Sequence, residues 1–471
     1  MKRITWIMVL LPAMLLVTVQ TVTCQVNDTG ITGIWLGKLA VGAVQLRIVF
    51  NVSVNEEGAL TATMDSPDQG AKDVPMGKVT VRNDSLRIEA PLVMGYYTGK
   101  IISETAIDGT WYQSNMNFEL DLEKQMTAFV LNRPQEPKPP FPYIEEEVSF
   151  RNEKDGFELA GTLTIPDKDK VYPAVILISG SGSQNRDEEI FGHKPFKVIA
   201  DHLTRNGVAV LRYDDRGVGK SGGSPVGTTS YDFSRDARAA IDYILLNDNI
   251  DGSRIGIIGH SEGGAIAQIL ASEFDDIAFI ISLAGPGVDG RTILLDQAEY
   301  ISRLSNIHDT VINQNIELNS LIFDIMAMEE DPSAGLTKIE EMIRQNMKDK
   351  GRPKDADEIV SNLGLQINAA SYQWIRYFIL FDPAEYLPAI KCPVLALNGD
   401  KDCQVMAGTN IAAILEILKK SGNSNAKGLI MKDLNHLFQR CETGLANEYG
   451  DIEETISPEV LGIITDWINS I

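Results

Sequence analysis

Cysteine is scarce in this chain, four among 471 residues. That count is too low for a disulfide framework, and the three beyond position 24 (Cys392, Cys403 and Cys441) allow at most one bridge. Basic residues are also short, 42 Lys and Arg against 65 Asp and Glu, for a formal charge of −23. So acidic a surface repels phosphate backbones and anionic lipids, which argues against a nucleic-acid partner. Histidine is also scarce, with five in all. The sequence shows no metal-ligand spacing, no phosphate-cradling glycine loop and no basic patch interleaved with aromatics, so neither a metal nor a cofactor is expected. Only one apolar run is of notable length, near the start. What remains is ordinary globular composition, 44% hydrophobic and 23% charged, which excludes a disordered, collagen-like or polytopic membrane protein. The length suggests two to four domains.

Lys2 and Arg3 precede an almost wholly apolar stretch over 4–19, followed by small residues over 21–24. This is the pattern of a secretory signal peptide over 1–24. Its apolar run falls short of the roughly 20 residues a bilayer span needs. Export to the periplasm or the medium is therefore expected, with a retained anchor as the alternative. Cys24 is a candidate for lipid modification, although Thr23 before it suits that signal poorly.

Residues 25–131 carry a β signal. Val44, Leu46, Ile48, Phe50, Val52 and Val54 alternate with mostly polar neighbours, the period of a strand with one buried face. Short runs of the same kind bring the count to about eight strands, with helical periodicity absent. A closed antiparallel sheet follows, and Trp35 and Trp111, each two residues after a glycine, look like the two ends of a small lipocalin-like barrel. A docking module and a ligand-binding barrel both fit this domain. Residues 132–143 then place five prolines in twelve positions, a stiff extended linker.

From 144 the text alternates between continuous apolar runs and helical segments. Apolar runs at 174–179, 208–213, 254–259, 277–283 and 394–398 read as strands buried on both faces, hence a mostly parallel, doubly wound α/β sheet. This core is expected over 144–286 and 384–471. Between them, 287–383 is charged helical text, read as a cap over the strands' C-terminal ends. Within it Phe323, Met326 and Met328 are candidates for an acyl pocket, against simple packing.

The strongest chemical signal is Gly259-His260-Ser261-Glu262-Gly263, at the passage from an apolar strand into a helix. Gly-x-Ser-x-Gly there forms a turn too tight for side chains, which raises the serine hydroxyl above the sheet. Ser261 is the candidate nucleophile, and it needs a base. Its neighbour His260 should point away, His202 sits on a helix face and His308 falls in the cap. His193 lies upstream of the serine, whereas His436 alone follows the last strand, and chain order selects it. For the acid, Asp400 and Asp402 compete. The fourth position of Gly-x-x-Asp, just before the chain turns to Val405, favours Asp402, whose task is to fix the imidazole tautomer. An oxyanion needs donors: the amide of Glu262, and one from the loop 180–184, with Ser181 chosen and Gly182 close behind. If the loops after the last two strands meet, Cys403 and Cys441 could be bridged.

Gly180-Ser181-Gly182-Ser183-Gln184-Asn185-Arg186-Asp187, the turn from Tyr213 to Ser221, and the Ser261, Asp402 and His436 loops together resemble the α/β-hydrolase superfamily. Within it the chain is similar to serine aminopeptidase-like (S33-type) hydrolases, a group that includes bacterial carboxylesterases with an N-terminal β-domain. The resemblance implies an acyl-enzyme mechanism on a small ester or acyl substrate, with Asp214, Asp215 and Arg216 as a loop brace. Ester cleavage is the leading expectation. An aminopeptidase-like peptidase or amidase, an acyltransferase and a catalytically silent binding protein remain as alternatives.

Overall fold

The computed structural model describes residues 30–41, 44–113, 116–128 and 130–471. The expected leader and Cys24 lie outside the described residues. The chain divides into two compact units. The first is Met1–Lys38, Ile48–Asp65 and Asp73–Phe129, and the second is Leu39–Arg47, Ser66–Lys72 and Val130–Ile471.

Ten strands make up the antiparallel sheet of the N-terminal region: β1 (Gly33–Val41), β2 (Val44–Val54), β3 (Leu60–Ser66), β4 (Ala71–Pro75), β5 (Val79–Arg82), β6 (Ser85–Ala90), β7 (Gly95–Ile101), β8 (Ala106–Gln113), β9 (Met116–Glu119) and β10 (Leu122–Gln125). The path runs β4-β3-β2-β1-β10-β8-β7-β6-β5, with β9 paired to β8. No ladder joins β4 to β5 among the described residues. Trp35, Phe50, Leu86, Ile88, Tyr97 and Trp111 are buried, so alternate strand positions build the core. Two strands more than the sequence suggested are present. β4 carries Lys72 and Asp73, which hide its period, and the stretch 116–125 holds two short strands, β9 and β10, divided at Leu120 and Asp121.

Leu39–Arg47 and Ser66–Lys72 were expected to belong wholly to the β-domain, yet they group with the second unit. The reason is a buried ion pair between Arg47 and Asp68, and a hydrogen bond of 2.9 Å from Arg47 Nη2 to the carbonyl of Gly450. The proline-rich stretch 132–143 has no helix or strand, as expected, but it is pinned rather than free. Arg133 donates to the carbonyls of Phe191 and Gly450, both at 2.8 Å, and Gln135 bonds to 455 and 456.

The second sheet has eight strands: β11 (Ile144–Asn152), β12 (Phe157–Ile165), β13 (Tyr172–Ile178), β14 (Ala209–Tyr213), β15 (Ile250–His260), β16 (Phe279–Leu283), β17 (Val394–Gly399) and β18 (Ala426–Met431). Their order is β11-β12-β14-β13-β15-β16-β17-β18. β12 is antiparallel to its neighbours, and every pair from β14 onward is parallel. Strand neighbours point to opposite faces. Ile176, Ile257 and Ala396 meet α2 (Ser230–Ile244), α3 (Glu262–Glu273) and α10 (Ala407–Lys420). Leu177, Ile258 and Leu397 meet α1 (Pro195–Arg205) and α11 (Pro458–Ser470) on the other side. Two apolar faces explain why these strands read as unbroken hydrophobic runs.

Between β16 and β17 come α4 (Gly290–Leu304), α5 (Asp309–Met328), α6 (Pro332–Asp349), α7 (Ala356–Gln366), α8 (Tyr372–Leu380) and the short α9 (Pro383–Tyr386). The larger of these share a core of their own. Phe323 and Met326 are buried in that core and Met328 is 87% exposed, so packing accounts for the first two and the third lines nothing enclosed.

Candidate active site

Parallel strands deliver their following loops to one edge. The loops after β13, β14, β15, β17 and β18 carry Ser181, Asp215, Ser261, Asp402 and His436. At the elbow, a Cβ on Gly259 would lie 2.0 Å from the carbonyl oxygen of Gly263, and one on Gly263 would lie 2.1 Å from that of Ile178. Only glycine fits at either position. Ser261 between them adopts φ 53° and ψ −116°, a conformation costing on the order of 1–3 kcal/mol in a non-glycine residue. It is held by its own amide, which donates to Leu283 O at 2.8 Å.

Asp402 and His436 meet. Asp402 Oδ2 lies 2.7 Å from His436 Nδ1, and both side chains are buried. The other carboxylate oxygen accepts the amides of Gln404 and Val405 at 2.7 and 2.9 Å, which fixes the carboxylate plane. A proton on Nδ1 leaves Nε2 free to accept one. Asp400 is used elsewhere, accepting the amide of Asp433 at 2.7 Å and so tying the two loops together. Among the described residues no hydrogen bond joins the Ser261 hydroxyl to His436. Such contacts often tighten only once substrate is bound.

The amides of Ser181, Gly182 and Glu262 have no protein acceptor among the described residues. The amide of Gly180 is occupied by Glu188 Oε1 at 2.7 Å. Of the remaining histidines, His193, His260 and His308 have structural partners. His193 is buried between Thr455 Oγ1 and the carbonyl of Tyr449, both at 2.9 Å. His202 lies on α1, and His308 caps α5 through the amide of Thr310. His260 turns its nitrogens away from Ser261, yet its ring centroid is 4.9 Å from that of His436, so it is no bystander.

Several functional groups escaped the sequence. The Glu262 carboxylate is buried and accepts from Ser230 Oγ at 2.6 Å and from Trp374 Nε1 of α8 at 2.8 Å. Burial drives its pKa above the usual carboxylate range despite these donors. It therefore links the residue after Ser261 to the helical insertion. No local pattern marks a pair 112 residues apart. The expected brace is present: Asp214 pairs with Arg186, Arg216 with Asp236, and Asp215 accepts from Ser179 Oγ and the amide of Gln184. Cys392, Cys403 and Cys441 are all free thiols. Cys403 Sγ donates to Gly444 O, and burial holds the thiol pKa of Cys441 up at about 11.

Asp215 yields a pH prediction. Burial pushes its carboxyl up to about 8. The folded chain therefore keeps a proton that the unfolded chain releases near the ordinary carboxylate value of about 4, and this group's contribution to stability falls as pH rises from about 4 to 8. Asp215→Asn carries no titrating proton. Its melting temperature relative to wild type should be higher at pH 8 than at pH 5. Melting curves that stay parallel across this range would contradict the assignment.

Residues 194–350 match the family model described as serine aminopeptidase, S33. An esterase of Thermotoga maritima, EstD, is 28% identical over 280 residues, 59% of this chain and 58% of that protein. An uncharacterised protein of Mycobacterium tuberculosis is 28% identical over 171 residues, 34% of this chain and 57% of its own length. The chain thus spans less than two thirds of the curated relatives it matches. Among solved structures, an esterase of Pyrococcus furiosus aligns with a TM-score of 0.44 at 16% identity, covering 73% of this chain and 98% of that one. Sheet order, the strained serine elbow and the matched segment lead to one conclusion: the chain has the α/β-hydrolase fold and is similar, over residues 194–350, to the S33 serine aminopeptidase group.

Proposed function

We propose that this protein is a serine hydrolase that cleaves carboxylic esters through an acyl-enzyme. Ser261 Oγ attacks the substrate carbonyl as His436 Nε2 takes its proton, and Asp402 stabilises the imidazolium through Nδ1. The oxyanion formed is met by the amide of Glu262 and by that of Ser181 or Gly182, each such donor typically worth about 2.7–4 kcal/mol. Collapse expels the alcohol, which receives the proton from His436. Water then attacks the acyl group under the same base and frees the acid and Ser261. The observation that carries this reading is the 2.7 Å Asp402–His436 contact at the sheet edge where Ser261 holds its strained turn. The kinship with EstD favours esters.

The test pairs a fluorophosphonate probe with substrates. The probe should label Ser261, and p-nitrophenyl esters of graded chain length should turn over faster than aminoacyl p-nitroanilides. Faster anilide cleavage would move the assignment to an aminopeptidase. Absence of labelling would make the chain a binding protein.

Export belongs to the same proposal, resting on Lys2, Arg3 and the apolar run over 4–19. N-terminal sequencing of the protein recovered from the periplasm or medium should begin near residue 25. A full-length cytoplasmic product would refute export.

A further inference from the structure

We propose that Glu188 and His260 are positioning residues, a buried brace that sets the spacing of the oxyanion loop, the nucleophile elbow and the His436 loop. This rests on the catalytic reading above and extends it to residues that touch no substrate.

One oxygen is the hub. Glu188 Oε1 accepts the amide of Gly180 at 2.7 Å and also contacts His260 Nδ1 at 2.9 Å. The opposite ring nitrogen, His260 Nε2, lies 3.0 Å from the backbone carbonyl of His436. Three contacts thus join the loop that begins at Gly180, the residue before Ser261 and the residue expected to act as base. Both braced side chains are buried, 4% and 7% exposed. Glu188 holds a backbone φ of 50°, unusual outside glycine, as part of the turn that aims its carboxylate inward. A Cβ on Gly180 would lie 3.2 Å from Ser261 Cβ and 3.5 Å from His260 Nδ1, so the oxyanion loop and the elbow are packed together at the point the brace spans.

Donor and acceptor chemistry fixes the proton on Nε2, and the attraction of the Glu188 carboxylate favours the one on Nδ1. A carbonyl only accepts, so His260 Nε2 carries hydrogen. Glu188 Oε1 already takes the Gly180 proton, and a second proton given from Nδ1 makes the ring an imidazolium paired with a carboxylate. Burial opposes that charge, while the adjacent Glu188 carboxylate favours it and prevails. His436 is then held twice, by Asp402 at its ring and by His260 at its main chain. Losing the second hold leaves the ring paired but its Nε2 displaced, and a displacement of about 1 Å can cost about 10²-fold in rate.

The experiment compares wild type with Glu188→Ala and Glu188→Gln on one p-nitrophenyl ester, with fluorophosphonate labelling rates, thermal melts and ¹⁵N-histidine NMR. Glu188→Ala should lower kcat and the labelling rate of Ser261 together by about 10²-fold, and Glu188→Gln by about tenfold, with KM changed less than about threefold. The NMR of wild type should show His260 protonated at both nitrogens, and Glu188→Gln should lose that signature. A folded Glu188→Gln that matches wild type in kcat and labelling overturns the brace alone, as does a neutral His260 in folded wild type. A wild-type chain inert to the probe overturns the catalytic reading and the brace with it. Should Glu188→Ala not fold, the glutamine variant and the wild-type spectrum decide the matter.

Discussion

Ser261→Ala and His436→Ala are each expected to lower kcat by roughly 10⁴–10⁶-fold, and the double variant should be scarcely worse than either alone. The hydroxyl is a poor nucleophile without a base, and the base has no task without the hydroxyl. Each deletion therefore removes the whole proton-transfer step. Ser261→Ala should alter thermal unfolding little, because Ser261 Oγ makes no protein hydrogen bond among the described residues, whereas His436→Ala should lower the melting temperature, because it leaves the buried Asp402 carboxylate without its ring partner. Asp402→Asn should cost about 10⁴-fold, since an amide at this position no longer selects the Nδ1–H tautomer. Asp400→Asn should change kcat by less than about tenfold, because that carboxylate accepts a backbone amide and faces no imidazole. Turnover of a p-nitrophenyl ester, read beside thermal melts, checks all four. Strictly multiplicative losses in the double variant, or a larger effect at Asp400 than at Asp402, would refute the arrangement.

How much of this was legible in sequence follows from how local each signal is. β13 to β17 could be read because helices cover both faces of the sheet, so apolar residues fill both faces and only a few polar ones, such as Arg212 and Ser282, interrupt the runs. Ser261 could be read because the steric demands of its turn fall on Gly259 and Gly263, two residues to either side. His436 followed from chain order, given so few histidines. The brace could not be read. Glu188 and His260 are 72 residues apart, and nothing near Glu188 in the chain requires a carboxylate. The pairing of Glu262 with Trp374 is equally invisible, since it exists only once α8 docks beside α3. The prolines of 132–143 signalled a stretch without helix or strand, but the anchoring of that segment lies in Arg133 and Gln135, whose partners lie from 58 to 321 residues away.

Gly263→Ala should be strongly damaging, and the reason is the kind of atom it meets. The new methyl would stand 2.1 Å from Ile178 O and 2.8 Å from Ser179 O, both backbone atoms at the end of a central strand. A flexible side chain could swing aside. These carbonyls are held by the sheet and by the loop that carries Ser181. Overpacking costs typically about 1–3 kcal/mol even where neighbours can yield, so a cost at or above about 3 kcal/mol is expected here. Gly462→Ala is the matched control. It sits within α11, where an added Cβ meets nothing within 4 Å, and it exchanges a poor helix former for the best one. That change should stabilise by up to about 1 kcal/mol. Thermal melts should therefore move in opposite directions for two substitutions of identical composition, and only Gly263→Ala should lose esterase activity at temperatures where it remains folded. If Gly263→Ala melts with wild type, strand β13 and the serine elbow are not packed as closely as these distances require.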